Sequence, residues 1–135
     1  MNQVNGRVVA VVDDHPMMRN CICDIIARWG YVPILQAANG QELLCKLNQG
    51  VLPDLCILDL NMPVMNGYET MRHLKANWPG IKIIVFSMNV KPGANSTLPL
   101  GADAELSKAA PLSELIKTLD RLSQKVIARP LIEQQ

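Results

Sequence analysis

The sequence lacks the marks of several specialised classes of protein. No apolar run approaches the ~18–20 residues that cross a bilayer. The opening Met1-Asn2-Gln3-Val4-Asn5-Gly6-Arg7 has none of the apolar core of a secretion signal. A cytoplasmic protein with no membrane partner is therefore expected. Neither charge is in excess: 13 Lys and Arg face 12 Asp and Glu, for a formal net charge of +1. That balance argues against direct nucleic-acid binding, which needs a basic surface. The cysteines Cys21, Cys23, Cys45 and Cys56 form no pair of zinc half-sites. They are expected to be reduced and mostly buried. His15 and His73 have no metal-site partners at recognisable spacing, and His73 is expected on a helix surface.

What is present is a core. Hydrophobic residues make up 49 % of the 135-residue chain and charged residues 19 %, which excludes a disordered chain and fits one domain. A domain this long buries roughly two-thirds of its unfolded surface without a disulfide or zinc staple.

The apolar pattern changes period along the chain. Residues 7–13, 55–59 and 81–87 are short apolar runs of the kind that form strands covered on both faces. Val32 to Ala37 contains Pro33, which suits an early strand position or an edge, and Ala104 to Ser107 is a weak fifth strand. Between them lie helical stripes. Pro16 opens the first, with Met18, Ile22, Ile25, Ile26 and Trp29 facing inward. Asn39 and Asn66 each precede a glutamate by three residues, a capping signal for the second and third. Pro111 to Ala128 forms the last, with Leu115, Ile116, Leu119, Leu122 and Val126 inward. Asn89 to Gly101 holds Pro92, Gly93 and Pro99, so it reads as a loop or one distorted turn. Strand–helix alternation of this kind gives an α/β fold: an open parallel sheet with helices on both faces. Sites in such sheets form at the carboxyl ends of the strands.

Those ends carry chemistry. The first strand runs into Asp13-Asp14, the third into Asp59, the fourth ends at Ser87, and the fifth leads to Lys108. Crowded carboxylates repel and need a cation. Oxygen donors without a thiolate or histidine cage point to Mg²⁺, with His15 adjoining but not required. Three carboxylates, one divalent ion and the Lys108 ammonium sum to neutrality. One aspartate can then attack a phosphoryl group and form an aspartyl phosphate, with charge neutralisation and positioning by the metal, Lys108 and Ser87.

Val11-Val12-Asp13-Asp14-His15-Pro16, Leu58-Asp59-Leu60-Asn61-Met62-Pro63 with Gly67 beyond, Val85-Phe86-Ser87, and Gly101-Ala102-Asp103 leading to Lys108 together resemble the response-regulator receiver domain of two-component signalling. Asp-Asp-His-Pro and Lys108-Ala109-Ala110-Pro111 are most similar to receivers that precede a LuxR/NarL-type helix-turn-helix domain. The resemblance implies a flavodoxin-like three-layer sandwich with strand order 2-1-3-4-5, in which the breakers of Asn89 to Gly101 leave the fourth helix short or irregular. It implies a receiver over residues 1–128 and a tail over 129–135. It also implies Asp59 as phosphoacceptor, and Mg²⁺ held by Asp13, Asp14, Asp59 and the Asn61 carbonyl. Lys108 would pair with the carboxylate and then the phosphoryl oxygens, and Ser87 would turn its hydroxyl to the phosphoryl group. The expected donor is a sensor histidine kinase or phosphotransfer protein, read by exposed first-helix residues near Arg19, Asn20 and Cys23. Catalysis would be limited to self-phosphorylation and self-dephosphorylation. The output would pass to a downstream effector or to a fused DNA-binding domain outside these 135 residues, so the chain reads as a stand-alone receiver or a fragment of a longer regulator. A homodimer is left open.

Several residues depart from the family pattern. Glu105 stands where many receivers carry an aromatic switch, so readout without one is expected, with the glutamate staying outside. Met88 is bulky where a small residue is common, which predicts slow chemistry. The breaker-rich segment predicts disorder over 93–99 and puts ordinary dimerisation in doubt. Ala109 replaces a frequent proline. These departures keep alive a second reading, a receiver-like protein-binding module with little phosphotransfer. A haloacid-dehalogenase-type phosphatase wants an aspartate where Asn61 stands. A flavodoxin wants a phosphate-cradling loop and more than 4 % aromatics.

Overall fold

The structure is a computed structural model and describes residues 6–88 and 96–126. Five short strands form one parallel sheet: β1 (Val8–Val12), β2 (Val32–Ala37), β3 (Leu55–Leu58), β4 (Lys82–Ser87) and β5 (Ala104–Ser107), in the order β2-β1-β3-β4-β5. Four helices connect or follow them: α1 (Pro16–Arg28), α2 (Gly40–Asn48), α3 (Gly67–Asn77) and α4 (Leu112–Ser123). This is the flavodoxin-like sandwich expected, with the strand order reversing direction between β1 and β3.

Alternation along the strands divides the core in two. Val9, Val11, Leu55, Ile57, Ile84 and Phe86 pack against Ile22 and Ile26 of α1 and Leu115 and Leu119 of α4. Ala10, Val12, Cys56, Leu58, Ile83 and Val85 face Leu43 and Leu47 of α2 and Met71 and Leu74 of α3. The central strands are therefore apolar on both faces, as their sequences require. At the β2 edge, Val9 pairs with Pro33 but Ala10 pairs with Leu35, so the strand steps past Ile34 directly after the proline.

The caps follow the sequence. Asn39 accepts from Glu42 N at 2.9 Å, while Glu42 reaches back to Ala38 N at 3.1 Å. Asn66 and Glu69 form the full reciprocal box on α3.

Some expectations need correction. On α1 it is Cys23 that turns inward, while Trp29 lies past the last helical residue and is half-exposed. Cys21 and Cys45 are exposed, so only two of the four cysteines are buried. Burial pushes the Cys56 thiol up to about 12, leaving it an inert core group. The last helix stops at Ser123 rather than Ala128. Its closing hydrogen bonds tighten to three-residue spacing, Lys125 N to Leu122 O at 2.9 Å and Val126 N to Ser123 O at 3.3 Å.

In the fourth crossover, Leu98–Leu100 form a single 3₁₀ turn, and 89–95 lie outside the described residues. The disorder expected over 93–99 does not extend to Thr97, which is only 1 % exposed. Among the described residues no helix is long and apolar enough to cross a membrane.

Candidate functional site

Backbone pairing puts the site residues on one edge of the sheet. Asp13 follows β1 and its N–H donates to Ala37 O at 3.0 Å; Asp59 follows β3 and donates to Val12 O at 3.0 Å. Lys108 follows β5 and donates to Ser87 O at 3.1 Å. Each side chain is thus placed by the last rung of a ladder between strands, not by a free loop.

The side chains converge accordingly. Lys108 Nζ lies 2.6 Å from Asp13 Oδ2 and 3.0 Å from Asp59 Oδ2, and all three side chains are buried. Burial pulls the lysine pKa down, but the hydrogen bonds and charges of Asp13 and Asp59 outweigh it and hold the pKa above its ordinary value. Lys108 is therefore a fixed cation. It uses the Oδ2 atom of each partner. Asp13 Oδ1 takes the His15 N–H at 2.9 Å, and Asp59 Oδ1 has the Asn61 N–H at 3.4 Å.

Among the described residues Lys108 is the only Lys or Arg ion-paired with these three carboxylates, which leaves two negative charges unmatched. Among the described residues, buried Asp14 Oδ1 has no hydrogen-bond partner, and neither has Ser87 Oγ, whose residue is fully buried. Unsatisfied buried polar atoms of this kind are rare and point to a missing partner. A hard divalent cation fits the oxygen donors of Asp13, Asp14 and Asp59, and their charge.

The loop after Asp59 is tightly built. Met65 N donates to Pro63 O at 2.7 Å across Val64, whose φ of 69° is left-handed. A β-branched residue there is strained, as residues beside functional sites often are. Gly67 is required by close approach: a Cβ would meet the Asp59 carbonyl and lie 2.8 Å from Leu60 Cα. Met88, next to Ser87, is 64 % exposed.

Sequence reasoning placed Asp13, Asp14, Asp59, Ser87 and Lys108 at strand ends, and the structure brings Asp13, Asp59 and Lys108 into direct contact. Asn61 is exposed, with its N–H toward Asp59. Three residues were misjudged. Cys23 is buried, not on a readable surface. Arg19 is not free for a partner either: its Nη1 donates to Asp13 O at 2.6 Å and its Nε to Gln36 Oε1 at 3.2 Å. His15 does have neighbours of metal-site type, with Nδ1 3.1 Å from Asp14 Oδ1. Adjacency to the acidic pair was the only signal for it.

Glu105 also has a defined place. It accepts from Thr97 Oγ1 at 2.6 Å, from Ser96 Oγ at 2.9 Å and from Thr97 N. Partial burial pushes its pKa up, but these donors outweigh that effect and hold the carboxyl below its ordinary value.

A sequence model of the Response regulator receiver domain matches residues 9–120. The chain belongs to the response-regulator receiver family. This receiver is 39 % identical over 122 residues to a protein-glutamate methylesterase/protein-glutamine glutaminase of Clostridium acetobutylicum, covering 87 % of this chain and 35 % of that protein. It is 33 % identical over 120 residues to the nitrate/nitrite response regulator protein NarL of Escherichia coli K12, covering 88 % of this chain and 56 % of NarL. It therefore spans about a third of the first relative and little over half of the second. The receiver also superposes on response regulator protein TrrA of Thermotoga maritima, solved in complex with Mg(2+)-BeF, with a TM-score of 0.76 and 29 % identity, covering 86 % of this chain and 98 % of that one.

Proposed function

We propose that this receiver takes a phosphoryl group onto Asp59 from a phosphohistidine of a sensor kinase or phosphotransfer protein. The observation that carries the reading is the Lys108 bridge between Asp13 and Asp59 beside an unpartnered Asp14 oxygen and an unpartnered Ser87 hydroxyl. Among the described residues Asp59 Oδ1 has only the long contact from Asn61 N–H, so it is the freer oxygen and the attacking one. It forms the new O–P bond as the N–P bond of the donor breaks, and the imidazole leaves with the electron pair and takes a proton. Lys108 then pairs with the phosphoryl oxygens, and Ser87 Oγ donates its hydrogen bond to one of them. Asp13, Asp14, Asp59 and the Asn61 carbonyl would hold Mg²⁺, which when bound supplies charge neutralisation at the phosphoryl group.

Chemistry of its own beyond gain and loss of the phosphoryl group is not part of this reading. The proposed extent of the receiver is residues 1–128, with 129–135 as a tail; 1–5 and 127–135 lie outside the described residues. The protein acts in the cytoplasm and passes its state to an effector or to a DNA-binding domain of the kind found in LuxR/NarL-type regulators.

Beryllofluoride, a phosphoryl mimic, tests this. With Mg²⁺ it should raise the thermal midpoint of the parent by several degrees and leave Asp59→Asn unmoved, because a ligand bound only by the folded state stabilises it. No rise in the parent would contradict the reading and favour a protein-binding module without phosphotransfer.

A further inference from the structure

Beside the three aspartates stands a nitrogen donor that the phosphotransfer reading does not use. His15 Nδ1 lies 3.1 Å from Asp14 Oδ1 and 3.4 Å from Asp13 Oδ1. One ligand atom from each of Asp13, Asp14, His15 and Asp59 can be chosen so that all lie within 4.8 Å of one another. Around an octahedral ion with bonds of about 2.1 Å, adjacent ligands sit about 3.0 Å apart and opposite ones about 4.2 Å. The imidazole is thus already at the spacing of an adjacent ligand to two carboxylates. Asp14 Oδ1 makes no hydrogen bond with it despite the short separation, so the pair is not simply a satisfied donor and acceptor.

The backbone holds the ring there. His15 N donates to Asp13 Oδ1 at 2.9 Å, and His15 O accepts from Arg19 N at 2.9 Å as the first bond of α1. Pro16 fixes the next φ. The ring itself is 73 % exposed, so a hydrated ion can reach it from solvent.

We propose that His15 Nδ1 is a fourth protein ligand at this site, and that the site takes borderline divalent cations such as Co²⁺ or Ni²⁺ more tightly than Mg²⁺. The proposal rests on the reading that the aspartates hold a cation. Its chemistry is general. Imidazole is a poor partner for hard Mg²⁺ and a good one for Co²⁺ and Ni²⁺, whose affinities rise along the Irving–Williams order. Three oxygens alone serve Mg²⁺; the added nitrogen discriminates.

The test is titration of the full chain with Co²⁺, followed by its visible absorption and by calorimetry, beside Mg²⁺ titration by calorimetry. His15→Ala and the size-conserving His15→Gln are compared with Asp14→Asn and with His73→Ala, which removes the only other histidine. Circular dichroism checks that each variant folds. The expected result is tighter binding of Co²⁺ than of Mg²⁺, and a loss of about tenfold in Co²⁺ affinity in both His15 variants, or about 1.4 kcal/mol. Mg²⁺ affinity should stay within about twofold, and His73→Ala should bind both ions as the parent does. Equal losses of both ions, no loss of either, or the same Co²⁺ loss in His73→Ala would overturn the proposal. Asp14→Asn separates the two levels: if it leaves Mg²⁺ binding intact, the underlying assignment of the aspartates fails, whatever His15 does.

Discussion

Lys108 satisfies two carboxylates and leaves the third unmatched. Asp13 and Asp59 each give it one oxygen, while among the described residues Asp14 pairs with no Lys or Arg, only with His15. Without a divalent ion, Asp14 contributes mainly repulsion. Asp14→Asn should therefore stabilise the ion-free protein by about 1 kcal/mol in urea titrations with chelator, since like charges at close range oppose folding. With saturating Mg²⁺ the order should reverse, because the parent gains binding energy that the variant forgoes. A variant less stable than the parent under both conditions would show that Asp14 has a structural partner. Asp13-Asp14, Asp59 and Ser87 were legible in the sequence because they close apolar runs, and Lys108, after the weak fifth strand, because it completes the set of polar groups at the strand ends. Arg19, Cys23 and His15 were not. Their surroundings depend on how α1 turns against the sheet, which helical spacing gives only within a residue or so.

Two elements carry the site's geometry outward. Gly67 opens α3 against the Asp59–Leu60 backbone. Gly67→Ala should cost about 2–3 kcal/mol through overpacking, and it should also weaken the beryllofluoride response by displacing Asp59. A stable variant with a full response would contradict this account of the loop. On the other side, Glu105 of β5 clasps Ser96 and Thr97 ahead of the 3₁₀ turn. These bonds to a charged acceptor hold part of the fourth crossover in place of helical packing. Glu105→Gln should lower stability by about 1 kcal/mol at pH 7. The folded-state pKa of Glu105 is depressed, so its contribution is present above the ordinary value of 4.5 and lost as pH falls through the folded value. The gap between parent and variant should close in acid; a gap independent of pH would mean that shape, not charge, matters at Glu105. The strands and all four helices could be read from period and caps. In the fourth crossover the distorted turn was legible from its breakers, but the order of Ser96 and Thr97 was not, because it rests on a carboxylate eight residues downstream of Thr97 rather than on local propensity. The end of α4 was overrun because Val126 continues the apolar stripe after the hydrogen bonds have tightened.

At the scale of the whole molecule, the reversal of strand order between β1 and β3 places Asp13 and Asp59 on adjacent strand ends, at the crevice where ligands bind in open α/β sheets. β4 and β5 then bring Ser87 and Lys108 to the same edge. The central claim is that this edge makes Asp59 a phosphoacceptor. Intact mass after incubation with acetyl phosphate and Mg²⁺ tests it most directly. The account predicts one phosphoryl adduct on the parent, lost on adding hydroxylamine, and none on Asp59→Asn. An adduct of equal yield on Asp59→Asn, or none on a parent shown to bind Mg²⁺, would contradict it.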